Sequence, residues 1–239
     1  HYGKDGCNRH VLIDECRELF GEIYEQIPEL PFCNIWTAMQ LSSRLPKGAL
    51  FHMGVSNTRR CWNMFQLPES VESACNVGCC GIDGCVSTLV GASLINPDRL
   101  CYVVVGDLTF FYDLNSLGNH HIGTNLRVML VNNGRGTEFR LGIHHCNVFG
   151  DDADKYMAAA GHFGNKSPLL VKHYAEDLGF HYLSATTKEE FMTALSNFTN
   201  PQLSDHSMIL EVFTDSKDES EALYLMSHIQ SDAKGMVRS

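Results

Sequence analysis

Two short, largely apolar runs, 102–105 and 126–131, constrain the fold of this chain more than any other feature. Each run ends abruptly in polar or small residues, at 106–107 and at 132–134. Runs of this kind are typical of strands that are buried on both faces. The apolar residues that could line one side of an intervening helix are Phe110, Tyr112, Leu114, Leu117 and Ile122. The segment therefore predicts a βαβ unit with two parallel strands.

The rest of the chain continues this alternation of strands and helices. Further strand candidates are 49–53, 71–76, 180–183 and 208–213. Helix candidates are 34–43, 87–94, 169–178, 188–197 and 219–229. The pattern predicts an α/β fold, doubly wound, with a mainly parallel sheet of about six strands and helices on both faces. We expect residues 1–33 to form a helical lead-in or linker and residues 34–239 to form the domain.

Composition excludes several classes of protein. The chain has 239 residues, of which 44% are hydrophobic, so it can bury a substantial core. Its net charge of −10 argues against a nucleic-acid-binding groove, which needs a basic surface. No apolar run approaches the roughly 20 residues of a membrane span, and the polar start, residues 1–5, does not resemble a signal peptide. We therefore expect neither a nucleic acid nor a membrane as partner.

The ten cysteines bear on the cellular compartment. Cys75, Cys79, Cys80, Cys85 and Cys101 fall in or beside predicted core elements, and none of the ten forms a CxxC pair. Buried cytosolic thiols fit this distribution better than disulfides or structural zinc. The cysteines thus favour a cytoplasmic enzyme.

Asp107 and Asn133 are the strongest candidates for a functional site, because each directly follows the end of a predicted strand. Open α/β sheets bind ligands at the carboxyl ends of their strands, where these two side chains would converge. Hard oxygen ligands suit Mg²⁺, and the loop 108–111 would lead into a helix N-terminus, which favours an anion. Together these features predict a site for a metal-bound diphosphate. The alternative is that Asp107 only caps a helix and that residues 132–134 only form a turn.

The same residues carry a resemblance to a known family. Gly106-Asp107-Leu108, followed by two asparagines, resembles the GDG…NN signature of thiamine-diphosphate-dependent enzymes. Leu108, the sequence YDLN at 112–115 and the segment GIDGCVSTLVGAS at 81–93 are similar to the MenD family in particular. The similarity runs from about residue 36 to residue 213. The chain thus resembles the C-terminal diphosphate-binding domain of such an enzyme.

The resemblance implies thiamine diphosphate and Mg²⁺ as cofactors. It assigns Mg²⁺ to the side chains of Asp107 and Asn133 and to the backbone carbonyl of Arg135. It implies that Ile82 supports the bent cofactor between its two rings, whereas the alternative is a core isoleucine at a helix start. The full set of implied cofactor-binding residues is Ser56, Gly81, Ile82, Gly106, Asp107, Leu108, Thr109, Asn133 and Arg135.

Arg60 is the candidate for substrate recognition. Ser56 and Arg60 match a family segment whose arginine binds a substrate carboxylate, although Val55 replaces an asparagine of that segment. The alternative for the pair of arginines is a solvated loop. Val77 stands where the MenD family has a second substrate-binding arginine, and Glu138 stands where it usually has an aliphatic residue. These differences place the substrate in question, but not the cofactor.

The implied activity is decarboxylation of a 2-oxo acid with carboligation, by a transferase or lyase of the MenD kind. Alternatives are an acetolactate-synthase-like or simple decarboxylase domain, or a non-catalytic α/β binding module. We expect the pyrimidine-binding and central domains to be absent from this chain and a partner subunit to supply the pyrimidine-binding domain. The whole enzyme would then be a homodimer or homotetramer, and the isolated chain would be inactive.

The segment 140–166 contains His144, His145 and Cys146 followed by several acidic residues. A zinc cluster is one possible interpretation, but the segment lacks fixed ligand spacing. We expect a loop with a short helix at 153–160 that serves as a cover for the active site.

Overall fold

Strands and helices alternate along the chain in the computed structural model, which describes residues 7–78, 81–141, 144–156 and 167–229. The strands are β1 (Leu50–Met53), β2 (Glu72–Cys75), β3 (Cys101–Gly106), β4 (Leu126–Asn132), β5 (His181–Ala185) and β6 (Met208–Phe213). The α-helices are α1 (Cys7–Glu25), α2 (Asn34–Ser42), α3 (Asn57–Trp62), α4 (Cys85–Ile95), α5 (Asp107–Tyr112), α6 (Leu170–Asp177), α7 (Lys188–Phe198) and α8 (Ser216–Ser227). Short 3-10 helices span Leu114–Gly118, Thr137–Arg140 and His145–Lys155.

The six strands form one sheet in the order β2-β1-β3-β4-β6-β5, and all neighbouring pairs are parallel. Helices cover both faces, so the predicted doubly wound α/β fold is confirmed. The chain passes from β1 outward to β2 and then returns to place β3 on the other side of β1. Strand order therefore reverses between β1 and β3, and such a switch point opens a crevice at the carboxyl ends of the strands.

The central strands β3 and β4 are buried on both faces, as their apolar sequences predict. Tyr102 and Val104 pack into one hydrophobic cluster, with α2, α3, α7 and α8. Val103 and Val105 pack into the cluster on the opposite face, with α4 and the start of α5. Burying one such side chain contributes about 1.5–3 kcal/mol. The sheet edge that carries Asp107 is therefore fixed by a core on both sides.

The prediction of one long helix after Asp107 is wrong in its extent. The helix α5 ends at Tyr112, and a separate 3-10 helix follows after Asp113. Asp113 leaves the helical conformation, and its carboxylate accepts a hydrogen bond from the backbone N–H of Ser87 at 2.6 Å. The break leaves Tyr112 67% exposed, so it does not share the buried side of Phe110. The hydrogen bond between Asp113 and Ser87 of α4 thus outweighs the tendency of the apolar spacing to continue the helix.

The remaining differences are small. The N-terminal helix α1 is largely exposed, but Leu30 and Cys33, in the segment that follows, are buried in the core. The helix predicted at 153–160 falls partly in the 3-10 helix His145–Lys155, while residues 157–160 lie outside the described residues. Cys79 and Cys80 also lie outside them.

Within the described part of the chain, no helix is both long and apolar enough to cross a bilayer.

Candidate functional site

A cleft of about 260 Å³ opens at the switch point, where the chain leaves β1, β3 and β4. Because the strands are parallel, the residues that follow them meet at this one edge of the sheet. Its lining residues are Asn34, Val55, Ser56, Asn57, Thr58, Ile82, Gly106, Asp107, Leu108, Thr109, Val131, Asn133, Arg135, Gly136, Thr137, Glu138 and Phe139. Charged, polar and apolar groups thus meet in the position that α/β sheets use for ligands.

The carboxylate of Asp107 joins the ends of β3 and β4. Its Oδ2 accepts hydrogen bonds from the backbone N–H groups of Asn133 at 3.1 Å and Gly134 at 2.6 Å. Its Oδ1 lies 2.8 Å from the N–H of Leu108. Asp107 is only 3% exposed, so its carboxyl group lies in a largely dry position. The sequence predicted the proximity of Asp107 and Asn133, and the backbone of the second strand end fixes it.

The turn after β4 carries further oxygen atoms into the cleft. Gly134 has a φ of 82°, a left-handed conformation that glycine adopts without strain. The side-chain oxygen of Asn133 accepts a hydrogen bond from the N–H of Arg135 at 3.4 Å. The buried hydroxyl of Thr137 has no hydrogen-bond partner among the described residues. A buried polar atom without a partner is costly, and Thr137 lines the cleft, where a ligand could provide one.

Ser56, at the turn from β1 into α3, has the only positive φ of a non-glycine residue in the described ranges. Its φ is 58° and its ψ is −126°. Such a conformation costs about 1–3 kcal/mol and is frequent at ligand-binding sites. The turn brings Ser56 into the cleft beside the end of β3.

Asn34 forms part of the wall of the cleft and is held from behind by two helices. Its side-chain oxygen accepts a hydrogen bond from the indole N–H of Trp62 at 3.0 Å. Its backbone N–H donates to Oε1 of Glu219 at 2.9 Å, and the Thr214 hydroxyl donates to the same oxygen at 2.9 Å. Burial raises the pKa of Glu219 to about 7, while these two hydrogen bonds lower it. The cleft wall thus depends on a buried acid that the sequence analysis placed only at a helix start.

Arg60 and Glu138 form an ion pair beside the cleft. The two terminal nitrogens of the guanidinium donate to the two carboxylate oxygens at 2.9 and 2.7 Å. The side chains are 33% and 18% exposed, so the pair is partly shielded from water. Hydrogen bonding to Glu138 raises the pKa of Arg60 above its ordinary value. A substrate carboxylate that used this face of Arg60 would have to replace Glu138.

The structure brings together most of the residues that the sequence analysis selected. Of the implied cofactor-binding set, all but Gly81 line the cleft, and Arg60 lines a second pocket beside it. A side chain at Gly81 would place its Cβ 2.6 Å from Oδ1 of Asp83, so the exposed Asp83 side chain would have to move. Thr137 and Asn34 also line the cleft, although neither was predicted from the sequence. Thr137 lies only four residues after Asn133 and could have been included with that turn, whereas Asn34 lies far along the chain from the motifs.

The structure bears on the predicted anion site at α5 and on the alternative interpretation of residues 144–146 as zinc ligands. The helix α5 has only six residues, so its macrodipole gives less support to an anion than a long helix would. In the segment with three potential zinc ligands, Nδ1 of His144 accepts a hydrogen bond from the N–H of Cys146 at 3.1 Å. Over the described ranges, no group of three or more histidine, cysteine, aspartate or glutamate side chains is arranged to hold a metal ion.

Comparison with known proteins gives a consistent result. No protein-family model matches the chain. The chain is 34% identical to the 2-succinyl-5-enolpyruvyl-6-hydroxy-3-cyclohexene-1-carboxylate synthase of Bacteroides fragilis over 196 residues. The aligned region covers 82% of this chain and 34% of that protein. The enzyme of the same name from Phocaeicola vulgatus is 34% identical over 200 residues, 82% of this chain and 34% of that protein. That of Christiangramia forsetii is 32% identical over 199 residues, 83% of this chain and 33% of that protein.

The chain therefore spans about a third of the length of the curated relatives that it matches. Of the motifs that suggested the resemblance, Gly106-Asp107-Leu108 and Asn133 line the cleft at the ends of β3 and β4, and Ile82 contributes to its wall. The predicted resemblance is confirmed: over four fifths of its length, this chain is homologous to synthases of the MenD family of thiamine-diphosphate-dependent enzymes.

Proposed function

We propose that this chain anchors the diphosphate of thiamine diphosphate through Mg²⁺, as part of an enzyme that acts on a 2-oxo acid. The observation that carries the proposal is the meeting of Asp107 and Asn133 at the carboxyl ends of two adjacent parallel strands, beside a cleft at the switch point. The homology to MenD synthases supports it.

The residues present fit a metal-bound diphosphate. Mg²⁺ is usually held by one or two carboxylates together with phosphate oxygens and water. Asp107 offers the carboxylate, Asn133 an amide oxygen and Arg135 a backbone carbonyl. The unpartnered Thr137 hydroxyl offers one more polar group to a ligand in the cleft. We assign Mg²⁺ to the first three residues and the diphosphate to the start of α5, at Leu108 and Thr109.

When bound, thiamine diphosphate supplies the carbanion-stabilising chemistry by which a 2-oxo acid loses carbon dioxide. The chain's own contribution would be to bind the cofactor and to orient it. Asp107 neutralises part of the metal charge, and its backbone hydrogen bonds keep the carboxylate in place. Ile82 provides an apolar contact on the wall of the cleft.

We propose that a pyrimidine-binding domain of a partner subunit completes the site, in a homodimer or homotetramer. Turnover by this chain alone is therefore not expected.

The reaction proposed first is decarboxylation with carboligation, as the name of the relatives suggests. An acetolactate-synthase-like or simple decarboxylase reaction is the second candidate. One observation favours it. Both terminal nitrogens of Arg60 are hydrogen-bonded to Glu138, and Val77, in the same pocket, adds no positive charge that could bind a substrate carboxylate.

We also propose a cytoplasmic location. Among the described cysteines, Cys33, Cys61, Cys85 and Cys101 are buried thiols outside any disulfide. Burial raises the pKa of the Cys33 thiol to about 12 and that of the Cys85 thiol to about 11. Unreactive, buried thiols of this kind need no oxidising compartment.

Binding of the cofactor should stabilise the chain only in the presence of Mg²⁺. A ligand at 100 times its Kd adds about 2.7 kcal/mol to stability, which corresponds to a rise in Tm of roughly 5–10 °C for a domain of this size. The measurement is thermal unfolding with thiamine diphosphate, with Mg²⁺ or with EDTA, and with thiamine as the control that lacks the diphosphate. An equal shift with thiamine or with EDTA would contradict the proposal.

A further inference from the structure

A buried polar network lies next to the turn that carries Asn133. At its centre is Glu211 of β6, which is 1% exposed. Its Oε1 accepts a hydrogen bond from the side-chain amide of Asn132 at 2.7 Å, and its Oε2 accepts one from the hydroxyl of Tyr182 at 2.7 Å. In the sheet Glu211 lies beside Leu130, so it shares a face with Asn132. The network thus crosses the neighbouring strands β5, β6 and β4 and ends one residue before Asn133.

This network is less favourable for stability than an apolar core would be. Both hydrogen-bond partners of Glu211 are neutral, and burial raises the pKa of its carboxyl group above the ordinary value. Oδ1 of Asn132 is buried and has no hydrogen-bond partner among the described residues. Replacing such buried polar groups by well-packed apolar side chains is often neutral or stabilising. Stability of the core therefore does not explain why these two positions are polar.

The network is placed to orient the Asn132–Asn133 segment. Side chains alternate between the two faces of a strand, so an Asn132 held on the face of Glu211 directs the next side chain away from that face. That next residue, Asn133, lines the cleft. The peptide between them is held as well, because its carbonyl accepts from the N–H of Thr214 at 3.3 Å and its N–H donates to Asp107 at 3.1 Å. The contact with Glu211 adds resistance to rotation of the chain at the end of β4.

We propose that Glu211 is a positioning residue of the metal site, which acts through Asn132 to hold Asn133 in the direction that a small, rigidly coordinated cation requires. Mg²⁺ demands nearly ideal octahedral geometry at about 2.0–2.1 Å, whereas Ca²⁺ accepts about six to eight oxygen ligands at about 2.3–2.6 Å in variable geometry. A loosened Asn133 therefore weakens the binding of Mg²⁺ more than that of Ca²⁺. The inference rests on the proposed function, since it takes Asn133 as a ligand of the metal.

Glu211→Met is the test variant, because methionine fills a similar space but cannot accept the hydrogen bond from Asn132. Thiamine diphosphate is titrated into the original chain and into the variant by calorimetry, in excess MgCl₂ and separately in excess CaCl₂. We expect the variant to lose affinity by about tenfold or more with Mg²⁺ and by no more than about twofold with Ca²⁺. A general loosening of the fold would weaken both equally.

Three further variants separate positioning from other effects. Tyr182→Phe removes the other hydrogen bond of the same carboxylate without changing the contact with Asn132, and it should leave both affinities unchanged. Glu211→Gln retains an acceptor for Asn132 and should keep most of the Mg²⁺-dependent affinity. Asn132→Ala removes the same contact from the other side, so it should reproduce the selective loss, and it replaces Glu211→Met if that variant does not fold.

A double-mutant cycle tests whether the effect passes through Asn133. In the Asn133→Ala background, Glu211→Met should cause little further loss of Mg²⁺-dependent affinity, because the group that Glu211 positions is already absent. The inference is overturned by equal losses with Mg²⁺ and Ca²⁺, by unchanged Mg²⁺-dependent affinity in Glu211→Met and Asn132→Ala, or by losses that add in the double variant. Absence of Mg²⁺-dependent binding in the original chain would instead overturn the proposed function, and this inference with it, so the two failures are distinguishable.

Discussion

Asp107→Ala is expected to abolish Mg²⁺-dependent binding of thiamine diphosphate to this chain. The substitution removes the only carboxylate of the proposed ligand set, and loss of one partner from a buried charged pair typically costs about 3–5 kcal/mol. This corresponds to a fall in affinity of at least roughly 100-fold. Asn133→Ala should weaken binding by less, because a neutral oxygen contributes less to a hard cation. Isothermal titration calorimetry with excess Mg²⁺ measures both effects.

Two further variants separate the metal from the fold. Asp107→Ala also leaves the N–H groups of Asn133 and Gly134 without their acceptor, so it should lower stability. Asp107→Asn retains an acceptor and removes the charge, and it should still lose most of the affinity. Asp113→Asn is the matched control, because Asp113 is also buried and accepts a backbone hydrogen bond but lies outside the cleft. Unchanged cofactor affinity in Asp107→Asn would refute the metal assignment.

Glu219→Gln should remove a large part of the pH dependence of stability. The pKa of Glu219 is raised from 4.5 to about 7 in the folded chain, chiefly by burial. The folded state therefore retains a proton that the unfolded state has lost, and the associated stability is complete below pH 4.5 and is lost as the pH rises to 7. The shift corresponds to about 3 kcal/mol. The glutamine keeps an oxygen for Asn34 and Thr214 but cannot ionise.

The comparison consists of urea unfolding of the original chain and of Glu219→Gln at several values between pH 4.5 and pH 8. The stability of the variant relative to the original chain should rise by about 3 kcal/mol across this range. Glu221→Gln, at an exposed position of the same helix, serves as control and should follow the original chain. Parallel curves for the original chain and Glu219→Gln would mean that Glu219 does not titrate in this window.

The sequence predicted those parts of the molecule that depend on local patterns. Continuous apolar runs identified β3 and β4, and the polar residues directly after them identified the edge at which Asp107 and Asn133 meet. Parallel pairing makes this step reliable, because consecutive strand ends in such a sheet lie on the same side. The fold class follows from the same alternation.

Contacts between distant segments leave no local pattern in the sequence. Arg60 and Glu138 are 78 positions apart, and nothing in either segment indicates that one would neutralise the other. Glu219 reads as an ordinary acidic residue in the first turn of a helix, where acids are usually exposed. It is instead buried, and the N-terminus of α2 and the Thr214 hydroxyl both donate hydrogen bonds to it. The early end of α5 was not predicted for a related reason, because the hydrogen bond from Ser87 to Asp113 joins residues 26 positions apart.

The most direct test of the account is the position of the metal ion. Crystals of this chain grown with thiamine diphosphate and Mn²⁺, as a substitute for Mg²⁺, would locate the ion by anomalous scattering. The account predicts a single strong peak in the cleft, about 2 Å from oxygen atoms of Asp107, Asn133 and the Arg135 carbonyl. A metal and diphosphate bound elsewhere, with no peak next to Asp107, would contradict it.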